Sequence, residues 1–232
     1  MRHQVVSKDQ WIAARKRLLA KEKEFTRMRD DLSRERRELP WEPVDKQYLF
    51  ESEGAPQTLA DLFDGRNQLV IYHFMFAPDW ESGCKSCSFW ADNFNGIVTH
   101  LKQRDVSFAA VSRAPWKKLH AFAQRLGWSF NWVSSGGNDF NFDYQVSFSE
   151  QQLQGEVDYN YGKRKFPATD APGVSVFSRD SDSVFHTYSS FGRGIDMLNT
   201  AYHYLDLVPK GRNEDALPFT MAWVKLHDQY SN

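Results

Sequence analysis

The sequence holds two cysteines, and both lie in one tetrapeptide, Cys84-Lys85-Ser86-Cys87. A thiolate is a nucleophile toward disulfides, and a second thiol two residues further on can attack the mixed disulfide that the first one forms. That logic assigns Cys84 as the attacking thiol and Cys87 as the resolving thiol, with Cys84 the more exposed. The C-x-x-C spacing is also half of a zinc site. Because the chain has no second cysteine pair, His73, His186 or an acid would have to complete it. An inert remnant is a third reading. A secreted, disulfide-stapled scaffold is excluded, since such chains spread more cysteines along their length. We expect neither a metal nor a cofactor to take part.

The place of the motif matters as much as its spacing. Leu69 to Ala77 (LVIYHFMFA) is a nearly continuous apolar and aromatic run of strand formers, the pattern of a central strand covered on both faces. Ser88 to Arg104 follows with Trp90, Phe94, Ile97, Val98 and Leu101 at helical spacing. The cysteines therefore fall between the carboxyl end of a strand and the first turn of a helix. Sites of open α/β sheets form there, and unpaired N–H groups with partial positive charge stabilise a thiolate. Val106 to Ser112 reads as a second buried strand. Lys117 to Leu126 is a helix with Leu119, Phe122, Ala123 and Leu126 on one face and Gly127 at its end. Trp128 to Val133 is a third strand. Such alternation predicts right-handed crossovers and a largely parallel sheet.

The rest of the chain has a different character. Ser134 to Thr169 is polar and irregular, an insertion with at most short strands. Gly173 to Arg179 and Ser183 to Ser189 alternate on either side of Asp180-Ser181-Asp182, the signal of an antiparallel hairpin. A closing helix is predicted over Ile195 to Leu207, and the tail carries Trp223 and Leu226 to dock on the domain. At the other end, Ser7 and Gln10 spell a capping box. It opens a long helix with Trp11, Leu18, Phe25 and Leu32 in one stripe, ended by Pro40 and Pro43. Lys21 and Glu35 interrupt a coiled-coil seam, so this helix either lies on a domain surface or pairs two chains as a homodimer. The expected organisation is a helical extension over 1–45 and one α/β domain over 46–232.

Composition narrows the partners. With 232 residues and a formal net charge of -1, the protein has no global field to hold nucleic acid or an anionic membrane. Apolar residues at 41% and aromatics at 15% are ample for a core, although a mean hydropathy of -0.63 makes the surface strongly polar. No stretch approaches the roughly 20 apolar residues of a membrane span, and the opening residues lack a signal-type apolar run, so a cytoplasmic protein is expected.

Several long motifs carry a family resemblance. They are YHFMFAPDWESGCKSCSFWADNFNG (72–96), VSRAPWKKLHAF (111–122), SSGGNDFNFDY (134–144), APGVSVF (171–177) and LPFTMAWVKLHDQY (217–230). The chain resembles the bacterial domain-of-unknown-function 899 family, regarded as predicted dithiol-disulfide oxidoreductases of thioredoxin fold. The resemblance implies a thioredoxin-like α/β fold: a central mixed sheet flanked by helices, with the long N-terminal helix and an insertion before the last hairpin. It implies a disulfide-containing protein or small thiol as partner.

Thioredoxin-like proteins place a cis-proline at the start of the antiparallel strand beside the cysteines. Ala171-Pro172 is similar in position, with Ala171 placed to pair with a bound substrate; a plain proline at the start of a strand is the alternative. Lys85 and Arg113 are cations placed to stabilise the thiolate, or ordinary surface charge. Trp80 is either a wall of the site or packing. His73 is either a proton shuttle or a core histidine.

The chain also departs from the thioredoxin pattern. Gly83 stands where an aromatic residue precedes the first cysteine, Lys85-Ser86 replaces Gly-Pro, and the strand leading to the site carries no carboxylate. A thiol peroxidase of peroxiredoxin type is a competing reading, weakened because Ala77 and Glu81 replace the proline and hydroxyl residue that such a site places before its cysteine. A non-enzymatic module, with the cysteine pair as a redox sensor, is a third.

Overall fold

The computed structural model describes residues 3–231, and by internal contacts the chain divides into residues 1–40 and 41–232. In the first unit the predicted capping box is present. Ser7 Oγ accepts the Gln10 N–H at 3.3 Å, and the Gln10 side chain accepts the Ser7 N–H at 3.0 Å. It starts helix α1 (Lys8–Glu38), which Leu39 and Pro40 end because the residue before a proline is driven out of helical geometry. Ion pairs Arg15–Glu22 and Asp31–Arg34 run along the helix, and none of its residues is buried.

The second unit begins with three short strands, β1 (Glu42–Pro43), β2 (Leu49–Phe50) and β3 (Gln57–Thr58). Then come β4 (Gln68–His73), α2 (Lys85–Ala91), α3 (Phe94–Lys102), β5 (Val106–Ser112), α4 (Trp116–Arg125) and β6 (Asn131–Ser134). The insertion holds α5 (Phe140–Asp143), α6 (Glu150–Leu153) and the hairpin β7 (Val157–Tyr159) and β8 (Gly162–Arg164). The chain closes with β9 (Gly173–Asp180), β10 (Ser183–Phe191) and α7 (Thr200–Leu205).

The main sheet runs in the order β1-β10-β9-β4-β5-β6. β4, β5 and β6 are mutually parallel, whereas β9 lies antiparallel to β4 and β10 antiparallel to β9. A βαβ unit beside an antiparallel hairpin, with the cysteines after the central strand, is the thioredoxin-like arrangement. β4 alternates as a strand covered on both faces must. Tyr72 belongs to one buried cluster, with Phe74, Cys87, Trp90 and Phe94; Leu69 and Ile71 belong to the other, with Phe50, Phe63 and Phe177.

Four boundaries differ from the sequence reading, each for a local reason. The helix expected over 88–104 is two helices, because the Asn93 side chain donates to the carbonyls of Phe89 and Trp90 at 3.0 and 3.1 Å and Asp92 accepts the Trp128 indole N–H at 2.9 Å. The third strand begins at Asn131 rather than Trp128, since the Trp128 N–H turns back to Ala123 O and the Ser129 N–H goes to Asn95 Oδ1. The closing helix is a tight 3₁₀ segment over Gly192–Leu198 followed by α7, restarted where the Asn199 side chain caps the Tyr202 N–H at 3.1 Å. The insertion contains the single-turn helices α5 and α6 besides its short strands. The tail does dock, with Val224 and Leu226 buried and Trp223 set edge-on to Phe89 of α2. No helix among the described residues is long and apolar enough to cross a membrane.

Candidate active site

The backbone of Met75 holds the two cysteines. After β4 the chain keeps running beside 111–114: the Phe74 N–H donates to Val111 O at 2.9 Å and the Ala114 N–H to Phe76 O at 2.8 Å. Met75, between them, faces the motif instead. Its carbonyl accepts the Cys84 N–H at 3.0 Å, and its N–H donates to Cys87 Sγ at 3.5 Å. Cys84 is the N-cap of α2, and both the N–H and the hydroxyl of Ser88 return to its carbonyl, at 2.9 and 3.0 Å.

Gly83 explains one departure from thioredoxins. A Cβ there would lie 2.9 Å from ring atoms of both Phe74 and Phe122, so no side chain fits without moving the core. Gly83→Ala is expected to cost ~1–3 kcal/mol through overpacking, read from urea unfolding, and to displace Cys84; an unchanged midpoint would contradict the tight approach.

The two thiols differ in environment. Cys84 is half-buried and Cys87 is 2% exposed, both as free thiols. The hydrogen bond from the Cys87 thiol, aided by the N–H groups of Cys87 and Ser86, outweighs burial and lowers the Cys84 thiol to about 7. Burial pushes the Cys87 thiol well up. Alkylation of the reduced protein should therefore occur at Cys84 alone near neutrality, its rate rising through about pH 7 as the thiolate forms. Mass-resolved iodoacetamide kinetics read this directly, and equal labelling of both cysteines would contradict it.

The other sequence-predicted residues fall into two groups. Trp80 is half-buried and packs on the cluster that contains Cys87, and Lys85 is exposed in the first turn of α2. Arg113 does not stand as a free cation at the sulfurs. Its guanidinium makes a bidentate pair with Asp170, Nε to Oδ1 at 2.8 Å and the terminal nitrogen to Oδ2 at 2.7 Å. Asp170 directly precedes Ala171, so Arg113 fastens the start of β9. Ala171 is buried and its N–H already donates to Val146 O at 2.9 Å, which leaves that N–H unable to serve a substrate. Among the described residues no peptide bond is cis, so the Ala171–Pro172 bond is trans, unlike the thioredoxin pattern.

His73 faces away from the sulfurs. It follows Tyr72 on β4 and so points to the opposite side of the sheet, where it stacks on Tyr144 and bonds Ser175 Oγ at 2.8 Å. Burial, with His186 nearby, pushes it down to about 3, so it is a neutral core histidine. From it a chain of contacts runs through Ser175, Ser189 and His186 to Glu42, and the last three of these residues line a cavity of about 320 Å³ on that far side. Among the described residues no three His, Cys, Asp or Glu side chains gather as a metal site.

Sequence reasoning missed two phenols. Tyr159, in the insertion, donates to Pro172 O at 2.6 Å and accepts the Gly192 N–H at 2.9 Å, tying the insertion to the start of β9. Tyr72 is fully buried beside Cys87. A polar tip inside the apolar run 69–77 was the available signal.

Comparison with known proteins adds a family. The profile described as "Bacterial protein of unknown function (DUF899)" matches residues 1–230. The chain belongs to this family. No curated protein matches it.

Among solved structures, the DUF899 chain is similar to a cysteine mutant of Xylella fastidiosa PrxQ, at 16% identity over 69% of this chain and 90% of that one, TM-score 0.43. It is similar to peroxidoxin BcpB from Mycobacterium tuberculosis at 14% identity over 69% and 93%, TM-score 0.46. A thiol:disulfide interchange protein from Bacteroides sp. matches at 12% identity over 76% and 97%, TM-score 0.44.

Proposed function

We propose that this DUF899 chain is a thiol-disulfide oxidoreductase acting on a disulfide-containing protein or a small-molecule disulfide. The supporting observation is the unequal pair held by the backbone of one residue, Met75: a half-buried Cys84 lowered to about 7 and a buried Cys87 whose sulfur takes the Met75 N–H. The Cys84 thiolate attacks one substrate sulfur, forms a mixed disulfide and expels the other sulfur as a thiolate. The Cys87 thiolate then attacks Cys84 Sγ, the Cys84–Cys87 disulfide forms, and the second substrate thiol leaves; the pair loses two electrons and the substrate gains them. The test is reduction of insulin disulfides by protein kept reduced with a dithiol, run beside a hydrogen peroxide consumption assay. Reduction well above the dithiol alone, with no comparable peroxide turnover, is the expected result. Peroxide consumption without disulfide reduction would replace this reading with the peroxidase one.

The long helix supports a second chain as partner. An amphipathic helix gains most of its stability when its apolar stripe is packed. With Trp11, Leu18, Phe25 and Leu32 on a parallel two-chain seam, the flanking positions pair Arg17 with Glu22 and Glu24 with Arg29, opposite in sign, and a neutral Gln10 with Arg15. Leu18→Glu combined with Phe25→Glu should convert a sedimenting dimer to monomer, and a wild-type monomer at tens of micromolar would remove the proposal.

A further inference from the structure

The resolving step meets a physical obstacle. Cys87 must become a thiolate to attack Cys84, yet it is 2% exposed and burial opposes its ionisation. The Met75 N–H, at 3.5 Å, is a single donor to this sulfur, and β4 carries no carboxylate that could take the proton or order a water.

Two phenols lie near this sulfur, and they are not equivalent. The Tyr159 hydroxyl is committed to Pro172 O and the Gly192 N–H. The Tyr72 hydroxyl is buried without an oxygen or nitrogen partner among the described residues, in the same cluster as Cys87. Its ring is packed edge-on to Phe74 and Phe94, with centroids 6.3 and 5.0 Å away, in a core closed to solvent. An orphaned buried hydroxyl is costly, and such groups call for an explanation. The neighbour that interacts with this one most strongly is the Cys87 thiol, which is a weak acceptor as S–H and a strong one as S⁻.

We propose that Tyr72 is a catalytic residue of the resolving step: its O–H donates to the Cys87 thiolate and makes the buried nucleophile accessible. This rests on the dithiol reading of Cys84 and Cys87. Once a substrate thiol is bonded to Cys84, the Cys87 proton leaves to solvent and the sulfur is held as an anion between the Tyr72 hydroxyl and the Met75 N–H. The thiolate attacks Cys84 Sγ, its charge passes to the departing substrate thiolate, and the phenol loses its acceptor again. Tyr72 transfers no proton in this sequence; it keeps its own, and its pKa, raised well above the usual value by burial, is consistent with that. The resting dithiol carries the cost of the orphaned hydroxyl, and the resolving step recovers it.

Stopped-flow reaction of the reduced protein with an aromatic disulfide such as 5,5′-dithiobis(2-nitrobenzoate) separates the two steps. Attack by Cys84 releases the first coloured thiolate and resolution by Cys87 the second. Tyr72→Phe should leave the first phase unchanged, slow the second by about tenfold, and move its pH dependence to higher pH. Stability of the reduced protein should be unchanged or raised, because the deleted hydroxyl has no oxygen or nitrogen partner to lose and the resting thiol is only a weak acceptor. A second phase with wild-type rate and pH profile would overturn the role of Tyr72. Absence of a second phase in the wild type would instead overturn the dithiol reading on which it rests. Should Tyr72→Phe not fold, 3-fluorotyrosine at position 72 supplies a stronger donor. It should accelerate the second phase, and an unchanged rate there would count against the proposal in the same way.

Discussion

Cys84→Ser is expected to lower disulfide turnover ~1,000-fold or more, and Cys87→Ser to stop after a single event with the substrate covalently bonded to Cys84. The asymmetry follows from placement. Cys84 is the half-buried cap of α2, lowered to about 7 by the Cys87 thiol and the N–H groups of Cys87 and Ser86, so removing it removes the only thiolate a substrate can reach. Cys87 is sealed behind it and its thiol is pushed up, so it cannot substitute as the first nucleophile. Serine in place of Cys87 still offers a hydroxyl to hydrogen-bond Cys84, and first attack should persist while resolution disappears. Intact-mass spectrometry after mixing with a small disulfide reads both outcomes. An adduct on Cys87 in Cys84→Ser, or none on Cys84 in Cys87→Ser, would reverse the assignment.

Arg113→Met should be the most destabilising single change near the site. Asp170 is 1% exposed, and its carboxylate is held by the Arg113 guanidinium and by the hydroxyls of Ser147 and Thr169 at 2.8 and 3.1 Å. Removing one member of a buried pair leaves a charge in a dry site, a loss of about 3–5 kcal/mol. For a chain of this size that is ~10 °C in Tm. Adding Asp170→Leu should recover part of the loss, since an apolar pair avoids the stranded charge, though Ser147 then loses its acceptor. The pair also anchors Ala171 and Pro172 at the start of β9, so disulfide turnover should fall with stability. Urea unfolding of the two variants decides it; a loss under about 1 kcal/mol for Arg113→Met would place the pair in solvent rather than in the core.

How far the sequence speaks depends on the range of the interaction. Local chemistry was readable: the Ser7–Gln10 capping box, the strand into the cysteines, the helix after Ala114 with Gly127 at φ +65°, and the turn at Ser181. Side-chain competition within a helix was not, because Asn93 breaks the run 88–104 only once its amide turns onto the carbonyls of Phe89 and Trp90. Long-range pairing was least legible. Arg113 meets Asp170 across 57 positions, the Ala171 N–H is taken by Val146, and Glu42–Pro43 joins the sheet edge opposite His186 and Phe185. His73 and Tyr72 show the same limit: the strand pattern puts them on opposite faces, but only the packed helices determine which face the sulfurs share.

The most direct test of the dithiol account is a glutathione redox titration of the purified chain, acid-quenched and read by intact mass. A catalytic dithiol gives one two-electron transition, a loss of two hydrogens per chain that maps to a Cys84–Cys87 disulfide, with glutathione adducts only in Cys87→Ser. Stable glutathione adducts on the wild-type chain, or two thiols that never join across the titration, would contradict it.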